Sequence, residues 1–309
     1  MRIAVMGTGG TGGYFGGLLA RAGEEVTFIA RGANLDAIRQ NGLAINSVLA
    51  GDFTLAATAT DNPNDIGPVD CVLFCVKAYD NAEATEQIRP VIGPQTVVLS
   101  VQNGIGNEEQ IGNVLGAEHV LGCTSYVSST IESPGVIAQT GGPGKIVLGE
   151  MKGGTSGRTE ILQSTLQNAN ITAELHPDIQ TALWQKFLMI CGVNGVTALT
   201  RLPMGDILAC EETRNLLRGT MEEVAMVARA KGANLAEKCV DDFMDFFDSL
   251  EASIRGSMYY DLSAGRRLEL DVLNGTVVRL GSEQGIPTPI NFAIYAALKP
   301  YLNGQPASS

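Results

Sequence analysis

The chain has 309 residues, of which 45% are hydrophobic and 17% are charged, and this size predicts two domains. With 21 Lys and Arg against 33 Asp and Glu, the formal net charge is −12, and the sequence contains no basic cluster. Because phosphate backbones and anionic membrane surfaces are bound through clustered Lys and Arg, we expect neither nucleic acid nor membrane as a partner.

The cysteines and the N-terminal residues indicate the cellular compartment in which the protein is expected. The six cysteines are scattered without a CxxC pair, and the chain has two His, so we expect no metal site and a reduced, cytoplasmic protein. The start of the chain lacks the apolar core and cleavage site of a secretory signal. The longest apolar stretch, residues 187–200, is too short to span a bilayer.

The first third of the chain alternates strand-like and helical patterns. A strand at Arg2–Met6 is followed by a helical pattern at 14–22 and a second strand at 25–30. Continuous apolar runs, typical of strands that are covered on both faces, follow at 70–76, 96–101 and 120–125. Strands that alternate with helices in this way predict a doubly wound parallel sheet.

The pattern changes at residues 133–152, which are rich in Gly and Pro and contain a strand-like run at 145–148. We interpret this segment as a hairpin at the edge of the sheet, closing the first domain. One more helix at 155–167 and a short strand at 171–174 complete that domain.

After His176 the strand signals stop and helical patterns take over. Helices are predicted at 178–199, 211–231, 240–250, 268–284 and 291–302. The sequence therefore predicts an α/β protein: an N-terminal Rossmann-type doubly wound parallel sheet over residues 1–177 and an all-α C-terminal domain over residues 178–309.

A glycine-rich loop follows the first strand directly and opens the first helix. Its residues are Gly7, Thr8, Gly9, Gly10, Thr11 and Gly12. In this context GxGxxG predicts a dinucleotide site, in which Gly7 permits a tight turn, Gly9 lets the backbone approach a pyrophosphate and Gly12 lets helix and strand pack closely. The helix N-terminus then faces the phosphate charge. A glycine-rich turn without a ligand is the alternative.

The end of the second strand indicates which dinucleotide binds. NAD sites usually have Asp or Glu there to bind the ribose 2′-hydroxyl, whereas this chain has Arg31 followed by Gly32. Because a cation suits the 2′-phosphate, we expect NADP(H) as the cofactor. An ordinary surface arginine at a strand end is the alternative.

Further polar residues stand where a doubly wound sheet presents its sites, at the C-terminal ends of strands. Lys77 follows the run at 70–76 in Val-Lys-Ala-Tyr-Asp, and Asn103 follows the run at 96–101 in Gln-Asn-Gly-Ile-Gly. An Asn-Gly turn without a binding role is the alternative for Asn103.

Four more polar residues stand in the helical half. Lys186 lies in Trp-Gln-Lys-Phe, and Asn194 follows about two helical turns later on roughly the same side. Ser257 lies in Gly-Ser-Met-Tyr-Tyr-Asp-Leu, and Glu269 lies in Arg-Arg-Leu-Glu-Leu-Asp. Each residue also has a structural alternative. Lys186 could be a lysine that snorkels to the surface and Asn194 an amide in the interior of a helix. Ser257 could be a helix cap and Glu269 a solvated carboxylate.

These motifs, in this order, resemble those of the ketopantoate reductase (2-dehydropantoate 2-reductase) family, nearly from end to end. The resemblance implies a Rossmann domain, a helical domain and an active site in the cleft between them. It also implies that NADPH reduces the ketone of a 2-oxo acid to a 2-hydroxy acid, with ketopantoate converted to pantoate on the route to pantothenate and coenzyme A.

The resemblance assigns catalytic roles to three residues. Lys186 matches the general acid, since an ammonium group both stabilises a developing alkoxide and supplies its proton. Asn103 matches the residue that contacts both cofactor and substrate. Glu269 matches an acid near the cofactor, with an orienting effect on Lys186 as a second role.

The remaining matches concern binding. Lys77 and Ser128 match cofactor contacts, the latter through its backbone, and Asn194 and Ser257 match substrate-binding positions. The oligomeric state is not readable from the sequence, and a monomer and a homodimer both remain open.

Three positions depart from the family pattern, and all three lie near the expected substrate pocket. Ile190 and Met204 stand where the family has Asn, and Gly195 stands where Pro often follows Asn194. Because buried polar partners discriminate strongly between substrates, a reductase of another branched 2-oxo acid is the first alternative. A non-catalytic NADP-binding sensor is a second, and an NAD-dependent hydroxy acid dehydrogenase, disfavoured by Arg31, is a third.

Overall fold

The computed structural model describes residues 1–305, which divide into two compact units. The first consists of Met1–Gln102 and Gly106–Ala182, and the second of Asn103–Ile105 and the chain from Leu183 onward. Each unit contains its own hydrophobic core.

The first unit is built on one ten-stranded sheet. Its strands are β1 (Arg2–Met6), β2 (Glu25–Ile29), β3 (Leu43–Ser47), β4 (Phe53–Leu55), β5 (Thr58–Thr60), β6 (Val69–Phe74), β7 (Ile92–Ser100), β8 (Val120–Ser133), β9 (Val136–Glu150) and β10 (Thr172–Leu175). Six strands pair in parallel in the order β5-β2-β1-β6-β7-β8, the arrangement of a doubly wound dinucleotide-binding sheet. The predicted fold class is therefore confirmed.

Helices cover both faces of this sheet. They are α1 (Gly10–Arg21), α2 (Gly32–Asn41), α3 (Asn81–Gln87), α4 (Asn107–Leu115) and α5 (Gly157–Asn168). Successive side chains of β1 point to opposite faces, so Ile3 and Val5 join the core that includes Phe15 of α1. Ala4 and Met6 join the other core, together with residues of α3 and α4.

The segment expected to be an edge hairpin lies inside the sheet, so that prediction was wrong. β8 and β9 do form an antiparallel hairpin. The outer side of β9, however, pairs in parallel with β3 at residues 136–139 and with β10 at residues 145–148. These two strands come from distant parts of the sequence and satisfy backbone groups that an edge would leave unpaired.

Among the described residues of the second unit, all regular secondary structure is helical. Its helices are α6 (Ile179–Thr200, whose first four residues count with the first unit), α7 (Met204–Ala209), α8 (Glu211–Ala230), α9 (Cys239–Asp248), α10 (Ser257–Ser263), α11 (Asn274–Gln284) and α12 (Pro289–Leu298). The helix predicted from residue 268 begins only at Asn274. The N–H groups of Val272 and Leu273 both donate to the carbonyl oxygen of Glu269 in a turn, and the backbone of Leu273 is not helical.

Among the described residues, α6 is the one helix that is long and apolar enough to cross a membrane. Of its most apolar 18-residue window, 78% is buried inside the protein. Its side chains Phe187 and Leu188 belong to the helical core, so α6 is a core helix.

Candidate active site

The glycine loop between β1 and α1 leaves no room for side chains at three of its positions, of which Gly7 and Gly12 come first. Gly7 has φ +96°, and a Cβ there would lie 2.8 Å from the backbone nitrogen of Val76. A Cβ on Gly12 would lie 2.2 Å from the carbonyl oxygen of Gly7. Both positions therefore require glycine, one for the turn and one for the contact between helix and strand.

Two further glycines, Gly9 and Gly10, lie at the start of α1 and differ in the space around them. A Cβ on Gly10 would lie 2.2 Å from the carbonyl oxygen of Ser129 in β8, whereas a Cβ on Gly9 would meet no described atom within 4 Å. The first turn of α1, all of it within the described chain, carries no acidic side chain. The N–H groups of a helix's first turn have no intrahelical partners, so the loop fits the phosphates of a dinucleotide.

Hydrogen bonds from the side chains of Thr8 and Asn34 hold the glycine loop in place. Thr8 is buried, and its Oγ1 donates to the carbonyl oxygen of Ile29 at 3.1 Å. Asn34 of α2 donates from Nδ2 to the carbonyl oxygen of Thr8 at 2.9 Å, and its Oδ1 accepts from the N–H of Gly135 at 2.9 Å. Sequence reasoning missed Asn34, because no pattern marks an amide whose partners lie 26 and 101 residues away.

Arg31 lies at the end of β2, directly before α2, with its side chain 67% exposed. Its Nη1 is 3.5 Å from Oε1 of Glu83, whose side chain is 64% exposed. A pair of this kind in water contributes little to stability, so the Arg31 guanidinium can exchange this carboxylate for a phosphate at small cost. Glu83 was not among the residues expected to contribute.

Lys77 and Asn103 follow two neighbouring strands at equivalent distances. β6 and β7 pair in register at Phe74 and Ser100, and each residue comes three positions after its paired strand residue. Both side chains are half-buried. Ser128 lies in β8 opposite Gly141, next to the Ser129 carbonyl that packs on the glycine loop.

Lys186 and Glu269 are both buried in the helical unit, with exposures of 6% and 5%. Removing an ammonium or a carboxylate from water costs several kcal/mol unless its surroundings compensate. Neither residue is therefore a surface charge, and the alternatives of a snorkelling lysine and a solvated glutamate do not hold.

Asn194 and Ser257 are brought together at the start of α10. Asn194 is 4% exposed, and its Nδ2 donates to the carbonyl oxygen of Ile190 at 3.0 Å. Its Oδ1 accepts two hydrogen bonds, from the N–H of Met258 at 2.9 Å and from Oγ of Ser257 at 3.2 Å. A Cβ on Gly256 would lie 2.6 Å from Oδ1 of Asn194, so this contact needs the glycine. Asn194 thus holds the helix that begins with the exposed Ser257.

Two of the three departures from the family pattern, Ile190 and Met204, are apolar core positions. Ile190 is 7% exposed and Met204 is 1% exposed, and both belong to the hydrophobic core of the helical unit. Gly195 also has a local reason, since a Cβ there would lie 2.9 Å from Nδ2 of the buried Asn274.

The candidate residues separate by unit. The glycine loop, Arg31, Lys77 and Ser128 belong to the first unit. The second unit contains the residues expected to bind substrate or carry catalysis, namely Asn103, Lys186, Asn194, Ser257 and Glu269. Within the described chain, no group of three or more His, Cys, Asp or Glu is arranged to hold a metal ion.

The cysteines beneath the glycine loop are not poised for nucleophilic chemistry. Burial, with a smaller contribution from Asp70, raises the pKa of Cys71 to about 12. Burial, with smaller contributions from Cys123 and Cys71, also raises the pKa of Cys75. Since the thiolate is the reactive form, both thiols remain protonated at neutral pH.

Comparisons with known proteins place both units in one family. Residues 3–153 match the family Ketopantoate reductase PanE/ApbA, and residues 178–302 match Ketopantoate reductase PanE/ApbA C terminal. The 2-dehydropantoate 2-reductase of Archaeoglobus fulgidus is 30% identical over 295 residues, which cover 94% of each chain.

Solved structures give the same result. The 2-dehydropantoate 2-reductase of Geobacter metallireducens is 35% identical, with a TM-score of 0.90 over 97% of this chain and 99% of that chain. A D-mandelate dehydrogenase solved with NADH and anilino(oxo)acetate has a TM-score of 0.90 over 97% of this chain and 98% of that chain, but at 23% identity it shows a shared fold only. The chain belongs to the ketopantoate reductase family, whose members are oxidoreductases that use NADPH.

Proposed function

We propose that this protein reduces 2-dehydropantoate (ketopantoate) to pantoate with NADPH, in the synthesis of pantothenate and coenzyme A. The observation that carries this proposal is the burial of Lys186 together with Glu269 in the helical unit, in a chain whose two halves match the family. Burying an ammonium group costs free energy, and buried ionisable side chains are typical of catalytic sites.

The cofactor is held by residues of distinct chemistry. The loop from Gly7 to Gly12 and the start of α1 receive the pyrophosphate, and Arg31 receives the 2′-phosphate. Lys77, Asn103, Glu269 and the backbone of Ser128 contribute further contacts. NADPH, when bound, supplies the hydride for the reaction.

Lys186 performs the acid step. As carbon 2 of the 2-oxo acid gains a hydride, its carbonyl oxygen gains negative charge, which the Lys186 ammonium stabilises. The ammonium then donates its proton to that oxygen and leaves a neutral amine, so the product is a 2-hydroxy acid. Glu269 orients the Lys186 ammonium and contacts the cofactor.

The substrate is held by groups that form hydrogen bonds. Asn103 both donates and accepts through its amide, which suits contacts with cofactor and substrate together. Ser257 presents its hydroxyl to the substrate. Asn194, whose amide already bonds to Ser257, acts with it in substrate binding.

Steady-state kinetics test the proposal. Purified protein should oxidise NADPH when ketopantoate is added, and Lys186→Ala should abolish turnover while the dissociation constant for NADPH stays unchanged. The matched control is Lys231→Ala, which removes an exposed lysine at the end of α8 and should leave turnover intact. Wild-type turnover by Lys186→Ala would refute the role of this lysine.

A second candidate substrate is favoured by Ile190 and Met204. Both place apolar atoms where the family pattern has amides, so a reductase of a different branched 2-oxo acid keeps the same chemistry with a more apolar pocket. A panel of 2-oxo acids ranked by kcat/KM separates the candidates, since ketopantoate should lead by orders of magnitude under the first proposal. Sustained turnover of any member would exclude a non-catalytic sensor.

We also propose the setting in which the enzyme works. It acts in the cytoplasm as a monomer or homodimer, on a small-molecule substrate and without nucleic acid or membrane partners. Its functional division is an NADP-binding domain over residues 1–177 and a catalytic domain over residues 178–309. Size-exclusion chromatography with light scattering measures the oligomeric state.

A further inference from the structure

A network of buried amides lies beneath the ends of β6 and β7. Gln102 is 6% exposed, and its Nε2 donates to the carbonyl oxygen of Val76 at 2.7 Å and to Oδ1 of Asn81 at 2.7 Å. Its Oε1 accepts from Oγ of Ser100 at 3.1 Å. Both N–H donors and the oxygen of this amide are therefore engaged.

The network continues into the two helices that follow these strands. Asn81, the first residue of α3, is 2% exposed and donates from Nδ2 to Oδ1 of Asn107 at 2.9 Å and to Oε1 of Gln110 at 3.2 Å. Asn107 is the first residue of α4 and is 3% exposed. The network thus ties both strand ends to the starts of both helices.

The Gln102 side chain extends the pairing of the two strands beyond the backbone ladder. Near the strand ends, the N–H of Val101 donates to the carbonyl oxygen of Phe74 at 2.9 Å. One residue later the Gln102 amide reaches the carbonyl oxygen of Val76, which adds a further rung made by a side chain.

The two residues joined by this rung directly precede the candidate binding residues. Val76 is followed by Lys77, and Gln102 is followed by Asn103. The loop after Asn103 contains Gly104 at φ +107° and Gly106 at φ +89°, which are conformations that favour glycine. The Gln102 amide is therefore a direct bond between the two backbone segments at the points where they lead into Lys77 and Asn103.

We propose that Gln102 is a positioning residue, which holds the backbone segments of Lys77 and Asn103 at the spacing that NADPH binding and hydride transfer require. This inference rests on the roles proposed above for Lys77 and Asn103. A displacement of about 1 Å in such a group lowers the rate by roughly 100-fold, because catalysis depends on near-attack geometry.

Gln102→Met tests the inference, because it keeps the length of the side chain and removes the amide. The dissociation constant for NADPH, measured by fluorescence without any 2-oxo acid, should rise about tenfold or more, and kcat should fall by roughly 10- to 100-fold. The matched control is Gln163→Met. Gln163 of α5 donates from Nε2 to the carbonyl oxygen of Ala173 at 3.1 Å, away from these strand ends, and its replacement should change neither quantity.

A double-mutant cycle separates positioning from general destabilisation. If Gln102 acts through Lys77, Gln102→Met should weaken NADPH binding much less in a Lys77→Met background than in the wild type. A purely structural role predicts a lowered melting temperature, with the same loss of NADPH affinity in both backgrounds. Additive losses, or wild-type affinity and kcat in a folded Gln102→Met protein, would overturn the inference.

Gln102→Glu provides a second variant with a different readout. An ionised carboxylate places oxygen atoms against the carbonyl oxygen of Val76 and Oδ1 of Asn81, whereas the protonated acid restores one donor. Its defect in NADPH affinity should therefore shrink as the pH falls, and a pH-independent defect would contradict the inference. Absence of turnover with ketopantoate in the wild type would count against the proposed substrate alone, because NADPH binding is measured without it.

Discussion

Replacing Asn194 by Ala tests whether this residue holds the start of α10. The change removes the acceptor of the N–H of Met258, a residue that is 1% exposed, and it also removes the bond from Oγ of Ser257. A buried donor left without a partner costs about 1–3 kcal/mol, so we expect the free energy of unfolding to fall by about 2 kcal/mol.

Thermal unfolding and steady-state kinetics measure the two consequences. The melting temperature should fall by roughly 2–4 °C per kcal/mol, and the KM for the 2-oxo acid should rise while the dissociation constant for NADPH stays unchanged. Asn113→Ala, which removes an exposed amide on α4, is the control that should change neither quantity. A stability loss below about 0.5 kcal/mol in Asn194→Ala would show that Asn194 does not hold the start of α10, since surface substitutions alone reach that size.

Three further predictions concern the first unit and the thiols. Asn34→Ala should raise the dissociation constant for NADPH, because the glycine loop loses its tie at the carbonyl oxygen of Thr8; an unchanged value in calorimetry would contradict this. Hydrogen bonding by Arg158 lowers the pKa of Glu150 below its ordinary 4.5, so the pair stabilises the fold above that pH and loses its effect as the pH falls through the lowered value. Glu150→Gln should therefore reduce the acid dependence of unfolding, and identical pH profiles would argue against it. A thiol reagent should modify the exposed Cys210 rapidly in the native protein, and Cys210→Ser should remove that fast phase. Its persistence would show that the half-buried Cys75 or one of the four buried thiols reacts equally fast, which would contradict their lower accessibility.

The sequence was sufficient to predict the central strands and the glycine loop, because their signals are local. β1, β6 and the second half of β7 contain short apolar runs, and the loop follows β1 at the position that the motif demands. The first half of β7, which contains Gly93, Pro94 and Gln95, was not predicted. The long helix α8 was also predicted from a local signal, since its apolar residues recur at helical spacing.

Other strands could not be predicted, because they depend on partners far along the chain. β4 and β5 have three residues each and are half-exposed, and they are strands only because β3 and β2 pair with them. The prediction of a hairpin at the edge of the sheet failed for the same reason. Nothing within residues 133–152 indicates that β3 and β10 will pair with β9.

Within the candidate site, the sequence identified residue types but not their supporting contacts. Lys186 and Glu269 stood out through their motifs, yet their burial required the packed helices. The Asn194 amide, which bonds to Met258, and the Gln102 amide, which bonds to Val76, reach across 64 and 26 residues, and no local pattern encodes such pairs.

Isotope labelling of NADPH tests directly whether its hydride is transferred to ketopantoate. Wild-type protein should be incubated with ketopantoate and NADPH that carries deuterium at both positions of carbon 4 of the nicotinamide, and the product analysed by mass spectrometry and NMR. We expect pantoate with deuterium at carbon 2 from the wild type and no labelled product from Lys186→Ala. NADPH oxidation without label in the product, or no transfer to any 2-oxo acid of the panel, would contradict this expectation.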